Sequence, residues 1–377
     1  MERIYFNQVE KLEPMAVGVE EMMNAAETMS SEELQALVDD TRVQLNSLFH
    51  GPGPESVVFT AGVHAAQEQI LRAVLKKGDH VLVSPIENDV VIRTLDSMAG
   101  DVEYTVLPGN EKGELVLFDE EKGEKPFDAI DRLVKDNTKA IILNHASEVC
   151  GTVIEVKAVA EYARKKGLLM IANAAQTAAF VPIFMNIWGI DILTFSGGYG
   201  LLASETIGGF IASDKAKEAL ETTDLRSVFE QKPLDVAAVA GLHKAFEFIK
   251  ETRLYTLSSI GQKRAEQFIR KVQHVNGLHI IGPGYNNRVP VVSIQTDFMD
   301  EADLVKALEE DYGIIASYGY HGAELAHKCL GTWPRGTARF SFTYFNKETD
   351  IEEVTHALWQ LTVHNDKDAH IQRMPKE

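Results

Sequence analysis

The chain has 377 residues, 45% of them hydrophobic, enough to bury a large core and to divide into two domains, since single cores stop growing near ~250–300 residues. A formal net charge of −19 repels phosphate backbones and anionic lipid, and the basic residues are scattered in helical stretches such as Ala163-Arg-Lys-Lys166, so neither nucleic acid nor a membrane surface is an expected partner. Two cysteines, Cys150 and Cys329, argue against a disulfide framework or a multi-cysteine metal site, and the lack of about 18 consecutive apolar residues or of a signal-like opening leads us to expect a soluble, cytoplasmic protein.

Ser30-x-x-Glu33 is a capping-box signature, and Leu34, Leu37, Val38, Leu45, Leu48 and Phe49 follow at helical spacing. The rhythm then changes to short apolar runs alternating with amphipathic helices. The runs Ser56–Thr60, His80–Ser84, Ala140–Asn144, Leu168–Ala172, Ile190–Phe195 and Gly208–Ala212 read as buried strands. Such alternation predicts a mostly parallel sheet covered on both faces, with ligands at the carboxyl ends of its strands. From Leu234 to about Val272 the pattern is helical, interrupted near Arg253–Ser259. After Gly282-Pro-Gly284 comes a smaller α+β unit: strand Val289–Gln295, helix Asp300–Tyr312, strands Ile314–Ser317 and Thr337–Phe342, and helix Asp350–Thr362. The tail from His364 is polar and expected to fray.

Several stations recur in order along the chain: Ile4-Tyr-Phe6, Val58-Phe-Thr-x-Gly62, Lys77-Gly-Asp-His-Val81, His145-Ala-Ser-x-Val-x-Gly-Thr152, Ala174-Ala-Gln-Thr177, Ile207-Gly-Gly209, His321-x-Ala-x-Leu-Ala-His327 and Arg339-Phe-Ser-Phe-x-Tyr-Phe-Asn346. Together they resemble a class V aminotransferase-fold protein, similar above all to the cysteine desulfurase and selenocysteine lyase group. The resemblance implies the fold type I architecture of pyridoxal-phosphate (PLP)-dependent transferases: an N-terminal arm over residues 1–15, a large α/β domain over 16–255 and a small α+β domain over 256–377. It also implies a homodimer.

The same resemblance exposes departures at the positions that carry the family's chemistry. The lysine that forms the internal aldimine follows Phe-Ser-Gly-His; here Gly198 and Tyr199 take the His-Lys places after Ser196. The aspartate that pairs with the pyridinium nitrogen becomes Asn173, and a neutral amide holds that proton less strongly than a carboxylate. The stacking imidazole becomes Asn88, the phosphate-binding threonine becomes His64, and Ala203-Ser-Glu-Thr206 replaces the glycine-rich loop, bringing in Glu205. Aligning on His321 and Leu325-Ala-His327 places Gly322 where a desulfurase carries its sulfur-accepting cysteine. Of the groups that bind a substrate carboxylate, Arg339 stays, whereas Glu148 replaces the asparagine. We expect Glu148 to pair with Arg339 and so fill that subsite internally. The opening segment Asn7-Gln-Val-Glu-Lys11, which lines the pocket mouth in the family, is also changed.

The candidate pocket residues are therefore His64, Asn88, His145, Glu148, Asn173, Gln176, Ser196, Gly198, Tyr199, Glu205, His321 and Arg339, with no assigned catalytic residue and no metal. The favoured reading is a desulfurase-like pseudoenzyme that binds a small molecule or a protein partner and carries no covalently attached cofactor. Alternatives are an enzyme using His64, Glu148, Tyr199, His321 and Arg339 without PLP, or a lyase or transferase holding PLP non-covalently, the least favoured of the three. Local readings compete at each position: Tyr199 filling the lysine's space, His64 capping a helix, His145 and His321 structural, Cys150 and Cys329 inert.

Overall fold

The computed structural model describes residues 3–119 and 121–365. The strands are β1 Ile4–Tyr5, β2 Val57–Thr60, β3 His80–Val83, β4 Glu103–Val106, β5 Thr138–Asn144, β6 Leu169–Asn173, β7 Ile192–Ser196, β8 Gly208–Ala212, β9 Leu278–Ile281, β10 Val291–Thr296, β11 Ile314–Ile315, β12 Ser317–Gly319 and β13 Thr337–Ser341. A seven-stranded sheet has the order β2-β8-β7-β6-β5-β3-β4, and β8 alone runs against the other six. Successive residues of its central strands face opposite ways: Ile141 and Leu143 join one apolar cluster with Met170 and Leu193, while Ala140 and Ile142 join another with Leu169 and Ile192. Both faces are thus covered, which is why these strands read as unbroken apolar runs rather than alternating ones.

The first four α-helices are α1 Val19–Ala26, α2 Ser31–Phe49, α3 Gly62–Val74 and α4 Asp89–Ser97, of which α3 and α4 contribute residues to the site. The capping box at Ser30 forms as expected, with Ser30 Oγ accepting from the Glu33 N–H and Glu33 accepting from the Ser30 N–H. The long helical stretch divides into Val236–Thr252 and Leu254–Val272 at Arg253, whose positive φ of 70° breaks the helix.

A four-stranded antiparallel sheet, β12-β13-β10-β9, forms the second unit. The helices Leu254–Val272 and Glu348–Asn365 contribute Phe268 and Leu358 to its core, where Phe268 stacks at 4.9 Å from Phe340. The expected strand Ile314–Ser317 is two short strands: β11 pairs with β1 of the N-terminal segment, and β12 pairs with β13. His364 and Asn365 still belong to the last helix, while the rest of the expected frayed tail lies outside the described residues. No described helix is long and apolar enough to cross a membrane.

The glycine pair of Ile207-Gly-Gly209 has a packing cause. A Cβ on Gly208 would come within 2.6 Å of the Gly62 and Val63 backbone, so only glycine lets β8 pass beneath the start of α3.

Candidate functional site

Because β5, β6 and β7 are parallel and in register, their last residues Asn144, Asn173 and Ser196 come to the same edge of the sheet. A cavity of about 380 Å³, within the range of small-molecule sites, opens there. Of the sequence-derived candidates it gathers His64, Glu148, Asn173, Gln176, Ser196, Gly198, Tyr199, Glu205, His321 and Arg339, with Gly322 at the family's cysteine position.

Asn88 and His145 are corrections. Neither lines the cavity. Asn88 is the N-cap of α4: its Oδ1 accepts from the Val90 and Val91 N–H groups at 3.1 Å, and its amide donates to Gln67. His145 is buried behind the pocket, its Nδ1 2.9 Å from Thr177 Oγ1 and its ring edge-on to Trp188. Burial pushes its pKa down to about 4, so it is a neutral structural imidazole.

Tyr199 is 4% exposed, and its hydroxyl hydrogen is shared between the carbonyls of Pro290 at 2.9 Å and Phe342 at 3.1 Å. Its ring lies 4.9 Å from Phe180. Burial raises its pKa well above the ordinary tyrosine value, so the phenol neither ionises nor has a proton free for a ligand. Asn173 is equally committed. Its Oδ1 accepts from the Ala175 N–H and Thr194 Oγ1, and its Nδ2 donates to Asn144.

The expected Glu148–Arg339 ion pair does not form. Arg339, 1% exposed, donates from Nη1 to the main-chain carbonyl of Glu148 at 3.0 Å, and from Nη2 to Glu10 Oε1 at 2.9 Å. Glu10 comes from the N-terminal segment and was not among the expected site residues. His321 Nδ1 lies 3.7 Å from the same carboxylate oxygen. His321 and Arg339, against the effect of burial, hold the Glu10 carboxyl down to about 2. Burial and then Arg339 push His321 itself down to about 3, so at neutral pH the ion pair is Glu10 with Arg339. The Glu148 carboxyl has no such partner. Burial pushes it up to about 8 although Arg339 pulls the other way, with Glu87 and Asp89 adding to the rise.

The opposite end of the cavity is open. The helix α3 starts there without a side-chain cap, so the first-turn N–H groups and the helix dipole face the cavity. His64 lies on that first turn, exposed Arg93 of α4 approaches from the side, and Ser196 Oγ accepts only from the Gly198 N–H at 3.2 Å. Arg93 was missed by sequence reasoning. Glu205 lines the same end and opposes an anion there. Gln176 Oε1 is buried with no hydrogen-bond partner. The two cysteines lie outside the cavity lining; Cys150 is buried beside Thr152, and burial, then Cys150, raises the Cys329 thiol to about 11.

The model of the aminotransferase class-V family matches residues 19–354. The chain belongs to that family. Among curated relatives, a probable cysteine desulfurase of Halalkalibacterium halodurans is 24% identical over 343 residues, covering 85% of this chain and 81% of the relative. One of Methanothermobacter thermautotrophicus is 25% identical over 334 residues, covering 83% and 81%. Among solved structures, a cysteine desulfurase from Thermococcus onnurineus NA1 superposes with a TM-score of 0.84 at 19% identity, covering 96% of this chain and 95% of that one. One from Escherichia coli gives 0.81 at 18% identity, with the same coverage. The class V, fold type I expectation is thus met.

These findings overturn the expectation of no covalently held cofactor, with non-covalent PLP the least favoured alternative: class-V membership and the cysteine desulfurase relatives point to pyridoxal phosphate. The lining fits that group in part. The uncapped start of α3, Ser196 and Arg93 suit its phosphate, and the orphaned Gln176 amide suits a polar atom on its ring. Among the described residues, none of those lining the cavity is a lysine. Bound PLP supplies an electron sink for the bonds of an amino acid; these lining residues would contribute hydrogen bonds and charge to holding it.

Proposed function

We propose that this class-V family member is a cysteine desulfurase-like pseudoenzyme. It keeps the cleft as a binding site for a small phosphorylated ligand, PLP being the first to test, and it does not take sulfur from cysteine. The observation that carries this reading is Tyr199, at the position the resemblance gives to the lysine, whose hydroxyl is spent on two carbonyls of the second unit. Two further features support it: Gly322 leaves no thiol at the pocket, and neither cysteine lines the cavity. In this reading the protein works in the cytoplasm as a homodimer, and its output is a bound state read by a partner rather than a released product.

The test uses the purified protein incubated with PLP. We expect a raised melting temperature, as any ligand bound only by the native state produces, with no adduct trapped on the chain by borohydride and no sulfide from L-cysteine. Sulfide release, or a borohydride-trapped lysine adduct, would overturn the reading. A second reading has one observation in its favour. A carboxyl held near 8 inside a cleft is suited to proton transfer at neutral pH, which makes Glu148 the general acid or base of a repurposed activity. Turnover of any substrate that Glu148→Gln abolishes without changing affinity would select it.

A further inference from the structure

The guanidinium of Arg339 has three hydrogen-bonding faces in this fold. Nη1 is held by the Glu148 carbonyl, Nη2 by the Glu10 carboxylate, and Nε is buried without a partner. A free carboxylate binds a guanidinium best as a fork across Nε and Nη2. Here Glu10 occupies half of that edge, while its second oxygen accepts from Asn7 Nδ2 at 3.0 Å. We propose that Glu10 determines the cleft's specificity: it is a tethered carboxylate that excludes ligands whose own carboxylate would have to sit on Arg339. The inference rests on the cleft being a ligand site, as proposed above.

The tether is built for the task. The strap carrying Glu10 is fixed upstream by β1 pairing with β11, through Ile4 with Ile314 and Tyr5 with Ile315. It is fixed alongside by the Val9 N–H donating to Ser341 Oγ at 3.1 Å. Ser341 stands two residues after Arg339 on β13, and the period of two puts both side chains on one face, so the strand that presents the guanidinium also holds the strap over it. Downstream, Gln8, 1% exposed, closes the strap on itself. Its Nε2 donates to the carbonyls of Tyr5 and Glu13, and its Oε1 accepts from the Glu13 N–H. A ligand held on its own short tether acts at an effective concentration of order mM or above, so a free carboxylate below that level loses to Glu10. The opening segment is also where this sequence leaves the family pattern, at Asn7-Gln-Val-Glu-Lys11.

The experiment compares the full-length protein with its Glu10→Gln variant by calorimetry, using L-alanine and its decarboxylated counterpart ethylamine as probes. Glutamine keeps the side chain's length and leaves every backbone bond of the strap in place, and a thermal melt confirms that both proteins are folded. The expected result is a gain of about ten-fold or more in L-alanine affinity on Glu10→Gln, with ethylamine unchanged. No gain overturns the proposal, whether both proteins bind L-alanine equally or neither binds it, and so does an equal gain for both probes. A protein that released sulfide from cysteine yet showed the carboxylate-specific gain would lose the pseudoenzyme reading and retain this one.

Discussion

The two ends of the cavity solve opposite problems. At the α3 end the donors are largely uncommitted: an uncapped helix start, Ser196 with its proton unspent, and exposed Arg93, whose Nε alone is used, on the Asp89 carbonyl at 3.2 Å. At the Arg339 end both terminal nitrogens of a buried cation are answered from within the chain, by the Glu148 carbonyl and the Glu10 carboxylate, and only Nε is left over. The contrast teaches where recognition resides. An anion entering from solvent gains new hydrogen bonds at the first end, and at the second it must break existing ones.

The largest effect expected from disturbing this contrast is at the closed end. Arg339→Met strips Glu10 of its cation and the Glu148 carbonyl of its donor. Since Glu10 is half-exposed and partly rehydrates, a loss of about 2–3 kcal/mol is expected, read as a lower urea midpoint. A midpoint within error of the parent would show that the closed end is not held by this pair.

Next in size is a pH dependence. The Glu148 and Glu87 carboxyls are pushed up to about 8 and about 7 in the fold, chiefly by burial. A carboxyl whose folded pKa is raised binds its proton more tightly when folded, so its contribution is complete below the unfolded value and is lost as pH rises through the folded one. Stability should therefore fall between about pH 5 and about pH 9, by roughly 1–3 kcal/mol for Glu148 once its partial exposure is allowed for. Urea titrations across that range should show Glu148→Gln flattening the slope. Glu10 works with the opposite sign, its folded pKa being depressed to about 2, so its contribution fades only in acid below the unfolded carboxylate range.

A smaller effect is expected midway along the cleft. Tyr199→Phe keeps the ring against Phe180 but takes the hydroxyl donor from the Phe342 carbonyl and from the Pro290 carbonyl, which still accepts from the Phe342 N–H, costing about 1 kcal/mol. Tyr199→Lys restores an amine to the family position, and PLP with borohydride then reports whether the remaining shell can orient a covalent adduct. Smallest for stability is Arg93→Gln, within about 0.5 kcal/mol because the side chain is exposed, although binding of inorganic phosphate at the open end should weaken several-fold. Phosphate affinity unchanged by Arg93→Gln would remove the cation from that end and blur the contrast.

Much of this architecture was legible in the sequence because burial on both faces makes β5, β6 and β7 continuous apolar runs, and the Ile207-Gly-Gly209 station marks a backbone crossing that tolerates no Cβ. Strand β4 escaped notice because Glu103-Tyr-Thr-Val106 is an edge strand, only partly buried and therefore mixed in character. Strand β9 did so because exposed His279 interrupts its apolar residues. Asn88 was readable as a cap, since Asn-Asp before an apolar run is a helix-start pattern, but the comparison with a stacking imidazole drew attention away from it. The partner of Arg339 was not readable. The expectation named Glu148 alone, and the pairing with Glu10 depends on a strap contact across 329 residues of sequence and on Glu148 presenting its carbonyl instead of its side chain.

Tyr199 also has a mechanical meaning. It leaves the first sheet just after β7 and is fastened to the carbonyls that flank β10 and β13 of the second. Rocking the two bodies apart would pull this rivet and cost both oxygens a buried donor, the Pro290 oxygen keeping only the Phe342 N–H, so the crevice is built to keep a constant width. The strap from Gln8 to Leu12 lines the same crevice at its Arg339 end, which makes it a fixed wall there and the tyrosine part of the frame.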